Sequence, residues 1–126
     1  ENDQKKSDYA PINIAIVDSG ADLILFRRQD GAFLGSIDIA IRKATSSAMI
    51  PRSTRKVGEL AYAKDGKLGP RPGVATVDFL VPFAGGLPIR TDKGHLIGAI
   101  GISGASSDQD EECAQAAIDS VRDLLN

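Results

Sequence analysis

A glycine-rich stretch near the C-terminus constrains the fold more than any other part of the sequence. Residues 85–112 read GGLPIRTDKGHLIGAIGISGASSDQDEE, and the tripeptide Asp92-Lys93-Gly94 within them is typical of a β-hairpin turn. The second strand of this hairpin, predicted over residues 95–104, carries glycines at 98, 101 and 104. Because glycine has no side chain, a helix or a ligand can approach this strand unusually closely. The strand leads directly into the last helix, which predicts a sheet with a helix beside it.

The rest of the chain predicts an α+β domain with a five-stranded, mainly antiparallel sheet. Residues 1–11 are polar and aperiodic, so we expect an irregular arm there, followed by one domain over residues 12–126. Pro51 ends the first long helical pattern, and Ser106 with Gln109 forms a capping box that begins the last helix. The predicted strands are residues 12–17, 23–28, 74–83, 87–90 and 95–104, and the predicted helices are residues 37–50, 54–63 and the segment that follows Ser106.

Charge and composition exclude several classes of partner. The 15 basic and 17 acidic side chains leave a net charge of −2, which favours neither nucleic acid nor an anionic membrane. No apolar run approaches the roughly 20 residues that a membrane span needs. Cys113 is the only cysteine, which favours a reducing, cytoplasmic compartment. Because the chain begins with Glu1, a removed signal peptide and secretion stay open.

The first strand indicates self-association. Residues 12–17 lose their polar alternation towards the far end, which is typical of a strand buried on both faces. If the predicted helices pack on one side of the sheet, a second subunit has to cover the other side. We therefore expect a homo-oligomer.

Three segments carry a resemblance to a known family. The runs IAIVDSGADLILFRRQDG, SIDIAIRKATSSA and GGLPIRTDKGHLIGAIGISGASSDQDEECAQAA resemble, in this order, the haem-degrading GlcG/HbpS-like family, which includes the C-terminal domain of a propanediol-utilisation adenosyltransferase. The resemblance covers residues 12–121. It implies a profilin-like three-layer α/β/α fold, assembly into dimers or larger rings, and binding of haem or a related tetrapyrrole.

Two segments depart from the family pattern. Family members usually carry a longer helix before the first strand, and residues 1–11 are too short to form it. Residues 64–83 also differ from the glycine-rich loop that is usual in the family. A pocket that uses this loop would therefore differ in its ligand.

The candidate ligand-binding residues are the single histidine, several cations and two hydroxyl groups. His95 could ligate haem iron, although a solvated histidine is the alternative. Guanidinium and ammonium groups could receive propionates, and the alternative is a solvated basic surface. The resemblance places Ser53 and Thr54 at a ligand-contacting position, with a helix N-cap as the alternative for Ser53. The candidate cations are Arg27, Arg28, Lys43, Arg52, Arg55 and Arg71.

Other side chains have a simpler explanation. Tyr62 and Met49 could offer an oxygen or a thioether to iron, but we expect both in the core. The last helix carries Asp108, Glu111 and Glu112 on one face, where a cation could bind, although the helix dipole already explains them. Cys113 is expected to be a buried, unreactive thiol. We assign no catalytic residue and no metal ligand among the side chains.

The resemblance narrows the function to two classes. The first is a protein that binds haem or a related tetrapyrrole, with slow haem degradation as a further activity. The second is a non-catalytic accessory or assembly protein of glycolate, propanediol or glycerol metabolism. No nucleophile, base and orienting group form a recognisable catalytic constellation, so the sequence does not decide whether the protein is an enzyme.

Overall fold

A computed structural model describes residues 1–126 and contains a four-stranded antiparallel sheet with helices on both faces. None of the helices has the length and apolar character that crossing a bilayer demands. The strands are β1 (Asn13–Asp18), β2 (Leu23–Arg28), β3 (Gly86–Arg90) and β4 (Leu96–Ser103), and the helices are α1 (Asn2–Lys6), α2 (Ser36–Met49), α3 (Thr54–Ala61) and α4 (Ser107–Ser120). Short 3-10 helices cover Pro72–Thr76 and Arg122–Leu124.

The sheet has the strand order β2-β1-β4-β3, and every neighbouring pair is antiparallel. Successive side chains of a strand point to opposite faces, so β4 contributes to two cores. Ala99 packs with the alanines of α2, whereas Ile100 and Ile102 pack with Cys113 and other residues of α4. The predicted α+β class is therefore confirmed, and the profilin-like arrangement stays a prediction.

Gly101 explains the glycine-rich pattern of β4. A Cβ atom at this position would lie 2.1 Å from the backbone oxygen of Ala40 and 2.4 Å from the backbone nitrogen of Ala44. Both atoms belong to α2, so the element that approaches β4 here is a helix rather than a ligand. The close approach brings Lys43, on the same helix, directly against the sheet.

The prediction of a fifth strand is wrong, because residues 74–83 contain the end of a 3-10 helix followed by irregular chain. Ser46 of α2 provides the physical reason. Its hydroxyl accepts the backbone N–H of Val81 at 3.0 Å and shares its proton between the carbonyl oxygens of Arg42 at 2.6 Å and Phe79 at 2.9 Å. These backbone groups are thus satisfied by a helix side chain and need no strand partner.

The expectation of an irregular N-terminal arm is also wrong over residues 2–6, which form α1. Gln4 is buried in this helix, where its side chain donates to the carbonyl oxygen of Tyr9 at 2.7 Å and accepts from Gln29 at 2.7 Å. These bonds join α1 to the chain that follows β2. α1 spans five residues. The division at residue 12 stays a prediction.

Candidate functional site

A cavity of about 400 Å³ lies between the start of α3, the outer strand β3 and the end of α4. Four of its side chains are cationic and none is a carboxylate, so its chemistry favours an anionic ligand. Leu87, Pro88 and Ile118 give it an apolar side. We call it the basic pocket, and it is lined by Pro51, Arg52, Ser53, Lys56, Leu87, Pro88, Arg90, Gln115, Ile118 and Arg122.

Two of the four cations are held by other groups of the protein, and the side chains of the other two are unpaired. The guanidinium of Arg90 donates to the carbonyl oxygens of Pro51 at 2.9 Å and Gly94 at 3.0 Å. Arg122 pairs with Asp119 at 3.1 Å, an exposed pair within one helical turn. Arg52 and Lys56 form no ion pair. Their charges are therefore available to a ligand.

Of the two predicted hydroxyl residues, Ser53 lines the pocket and Thr54 lies behind it. Ser53 is the N-cap of α3, where its side chain accepts the backbone N–H of Lys56 at 3.2 Å. The N-cap alternative is therefore confirmed, and Ser53 also lines the pocket. Thr54 is buried, and its hydroxyl oxygen accepts the N–H of Gly86 at 2.9 Å. It fixes the start of β3 against α3 rather than lining the cavity.

Lys43 does not join the basic pocket, because it lies fully buried between α2 and the sheet. Its ammonium group donates to the carbonyl oxygen of Ile102 at 2.8 Å and pairs with Asp110 of α4 at 3.1 Å. Burial lowers the pKa of Lys43, and the charge of Asp110 opposes this shift. Burial likewise raises the pKa of Asp110 against the opposing charge of Lys43. Lys43 therefore links α2 to α4 through its ion pair with Asp110, and its buried ammonium group is not accessible to a ligand.

Three further candidates lie outside the basic pocket. Arg27 and Arg28 belong to β2 and line a separate polar cavity of about 390 Å³ beside the N-terminus, where Arg27 pairs with Glu1. His95 is exposed on the β3–β4 hairpin, and its backbone N–H donates to the hydroxyl of Thr91 at 3.2 Å. His95 is not part of the pocket lining, although the same hairpin carries Arg90.

Arg55 explains two of the three residues of the acidic set on α4. Its guanidinium donates to both carboxylate oxygens of Glu111 at 3.1 and 3.2 Å and to Asp108 at 2.5 Å. These bonds raise the pKa of Arg55. Asp108 and Glu111 thus serve as the partners of an arginine and join α4 to α3, whereas Glu112 takes no part in this contact. Arg55 is engaged in these bonds and does not line the basic pocket. Arg71 is exposed and also lies outside the pocket.

The predicted burial is right for one of the remaining side chains and wrong for two. Cys113 is buried, and burial is the main cause that raises the pKa of its thiol to about 12. Met49 and Tyr62 are exposed by 55% and 50%, so their assignment to the core is wrong. Met49 is the last residue of α2, and Tyr62 follows α3 and forms an isolated bridge with Leu68 in a surface loop. Chain ends and loops lie at the surface, which overrides their apolar character.

Sequence reasoning found Arg52 and Ser53 in the pocket but missed the other cations. Lys56 follows Ser53 by one helical turn, which is a local signal for a shared side of α3. Arg90 and Arg122 come from β3 and from the chain after α4, and no sequence spacing connects them. Only the packing of α4 against β3 brings these charges to one cavity.

The protein is thus a small α+β domain. Helices cover both faces of its antiparallel sheet, and a cationic pocket suited to anions lies at one end. A family model described as "Haem degrading protein HbpS-like" matches residues 2–119. The chain belongs to this family, which confirms the resemblance seen in the sequence.

Relatives of known sequence or structure are similar over most of the chain. An uncharacterized 15.0 kDa protein from the dhaT-dhaS intergenic region of Citrobacter freundii is 31% identical, covering 90% of this chain and 78% of that protein. The corrinoid adenosyltransferase PduO of Salmonella typhimurium is 31% identical over 88% of this chain but only 32% of its own length. The crystal structure of the PduOC:haem complex superposes with a TM-score of 0.81 at 28% identity, covering 94% of this chain and 83% of that one.

Proposed function

We propose that this protein binds haem or a related tetrapyrrole at the basic pocket. The observation that carries the proposal is the combination of four cations with an apolar wall and no lining carboxylate. A tetrapyrrole presents the matching chemistry, because it carries ionised carboxylates on the edge of a large apolar ring. Membership of the HbpS-like family and the similarity to a haem complex support the same ligand class.

The lining residues fit the two parts of such a ligand. Arg52 and Lys56, which have no partner in the protein, would receive the carboxylates through charge-assisted hydrogen bonds. Arg90, already fixed by two carbonyl oxygens, would present its remaining donors without reordering. Leu87 and Ile118 would lie against the ring.

The pocket lining contains no histidine, cysteine, methionine or tyrosine. His95, on the hairpin that carries Arg90, is therefore the proposed axial ligand from this chain. Bound haem would supply iron for peroxide-dependent chemistry, and slow haem degradation is proposed as a further activity. The residues of this chain contribute binding and orientation to it rather than acid–base groups.

We also propose that the protein forms a homo-oligomer. The second candidate function is that of a non-catalytic accessory or assembly protein of small-acid or diol metabolism. One observation favours it: the similar segment makes up only 32% of PduO, so a domain of this kind occurs joined to another protein region. The presence or absence of haem binding separates the two candidates.

A haemin titration followed at the Soret band tests the proposal. We expect a shift of the Soret band that saturates at a fixed ratio of haemin to subunit. The affinity for haemin should fall about tenfold in Arg52→Ala and in Arg90→Ala, since each change removes a charge-assisted bond. Haemin dimethyl ester, which lacks the ionised carboxylates, should bind more weakly to the wild type and be insensitive to these variants. His95→Ala should change the position of the Soret band more than the affinity.

Two exposed arginines outside the basic pocket serve as controls. Arg71→Ala removes one positive charge without touching the pocket and should leave the titration unchanged. Arg27→Ala removes the charge beside the N-terminus. Weaker haemin binding by this variant would indicate that the ligand binds in the cavity lined by Arg27 rather than in the basic pocket. Absence of any saturable shift in the wild type would overturn haem binding and leave the accessory function.

A further inference from the structure

Arg122 reaches the basic pocket from a short segment that follows α4. It belongs to the 3-10 helix Arg122–Leu124, which has three residues. Its guanidinium pairs with Asp119 at 3.1 Å, but both side chains are more than half exposed, and an exposed pair of this kind fixes a side chain only weakly. The position of Arg122 beside the pocket therefore depends on how its backbone is held.

Leu125 anchors this segment in the core. Among residues 121–125, which we call the strap, Leu125 is the one buried residue. Its side chain packs in the apolar cluster that contains Ile118, and Ile118 itself lines the basic pocket. The backbone N–H of Leu125 donates to the carbonyl oxygen of Arg122 at 3.1 Å. The buried anchor is thus joined directly to the residue that carries the pocket cation.

The strap is also bonded to the β3–β4 hairpin. The backbone N–H of Asp92 donates to the carbonyl oxygen of Leu125 at 2.8 Å. Asp92 lies in the turn between Arg90, the last residue of β3, and the start of β4. Arg90 lines the same pocket as Arg122. Two pocket cations that are far apart in the chain are therefore connected through the backbone of Leu125.

We propose that the strap sets the geometry of the basic pocket and that Leu125 is the positioning residue for Arg122. The core contact of its side chain and the two hydrogen bonds of its backbone fix Arg122 relative to Arg90, so that both meet the carboxylates of one ligand. The inference deepens the proposed function and rests on it for the identity of that ligand. Cations that are already in place lose less conformational freedom on binding, so the strap raises the affinity for the ligand without touching it.

A substitution in the hairpin tests the strap without altering the core. Asp92 is the second residue of a turn that is closed by a bond of 2.8 Å from the N–H of Gly94 to the carbonyl oxygen of Thr91, and this position accepts proline. Asp92→Pro therefore keeps the turn but removes the N–H that bonds to Leu125. Asp92→Ala is the matched control, because it removes the same exposed carboxylate and keeps the N–H.

Amide hydrogen exchange of Leu125 measures whether the strap is held in place. Its N–H should be protected in the wild type and in Asp92→Ala, and it should exchange about tenfold faster in Asp92→Pro. The N–H of Ile102, which donates to the carbonyl oxygen of Gly85 at 2.9 Å, should stay protected in all three proteins. Equal exchange of Leu125 in the two variants would overturn the strap, whether or not the protein binds haemin.

Haemin affinity measures whether the strap acts through Arg122. Arg122→Ala should weaken binding about tenfold when it is added to Asp92→Ala. Added to Asp92→Pro, it should weaken binding by less than about twofold, because Arg122 is already displaced there. Equal losses in the two backgrounds would overturn the positioning role and leave the proposed function standing.

Substitutions within the strap give a second test of the same role. Leu125→Ala should reduce the effect of Arg122→Ala as Asp92→Pro does, and Leu125→Met, which nearly conserves volume, should restore it. Leu124→Ala, at a side chain that is 76% exposed, should leave haemin binding unchanged. A wild type that binds no haemin would refute the proposed ligand, and the exchange of the Leu125 amide would then decide the strap by itself.

Discussion

Asp110→Asn should destabilise the protein by about 3–5 kcal/mol, because it leaves a buried ammonium group without a counterion. Lys43 is fully buried, Asp110 is 2% exposed and their charged atoms lie 3.1 Å apart. At an effective dielectric constant of about 20, this separation corresponds to an attraction of about 5 kcal/mol. Asparagine keeps an acceptor for the backbone N–H of Ala105, which bonds to Asp110 at 3.0 Å in the wild type, so the change tests charge rather than shape.

A double-mutant cycle isolates the pair. Lys43→Met should be about as harmful as Asp110→Asn, because it leaves a buried carboxylate and removes the donor to the carbonyl of Ile102. The double variant should lose about 2–3 kcal/mol less than the sum of the two single losses. Urea unfolding followed by far-ultraviolet circular dichroism measures all four proteins.

The pH dependence of Asp110→Asn gives a second readout. Burial lowers the pKa of Lys43 in the folded protein, and the charge of Asp110 opposes this shift in the wild type. Without that charge, the unfolded variant binds the lysine proton more readily than the folded one. Its free energy of unfolding should therefore rise with pH from the lowered folded pKa up to the ordinary value of 10.5.

The control is an exposed ion pair of similar geometry. Arg42 and Asp38 of α2 lie 2.8 Å apart with side chains that are 46% and 69% exposed. Asp38→Asn should change the free energy of unfolding by no more than about 0.5 kcal/mol. The reasoning from burial would be refuted if Asp110→Asn lowered the free energy of unfolding by as little as Asp38→Asn does. It would also be refuted if the losses of the two single variants simply added in the double variant.

Three further predictions concern backbone approach, ionisation and capping. Gly101→Ala should prevent native packing of α2 on β4, whereas Gly73→Ala, which meets no atom within 4 Å, should leave the urea midpoint nearly unchanged. Cys113, with its thiol pKa raised to about 12, should react with a thiol reagent at pH 8 only after unfolding. Above its ordinary pKa of 9.0 the unfolded chain loses this proton first, so stability should fall by up to about 1.4 kcal/mol per pH unit, and Cys113→Ala should abolish that contribution. Ser53→Ala should lower the free energy of unfolding by about 1 kcal/mol through loss of the N-cap.

Sequence periodicity predicted the regular elements well and the irregular chain poorly. The capping box at Ser106 and Gln109 is present as predicted, and α2 ends just before Pro51, since these signals act within one helical turn. Residues 74–83 look like a strand, but a strand also needs backbone hydrogen bonds to a neighbouring strand. Hydrogen bonds with the Ser46 hydroxyl engage the backbone of Phe79 and Val81 instead, and no local sequence pattern predicts them.

The amino-acid sequence by itself determined the family, the antiparallel hairpin and the close approach at Gly101, because motifs, turns and missing side chains are local properties. Only the tertiary structure decided which charges serve a site. It buried Lys43 against Asp110 and gathered Arg52, Lys56, Arg90 and Arg122 around one cavity. The reason is that burial and proximity depend on how α3, β3 and α4 pack, and these elements are far apart in the chain.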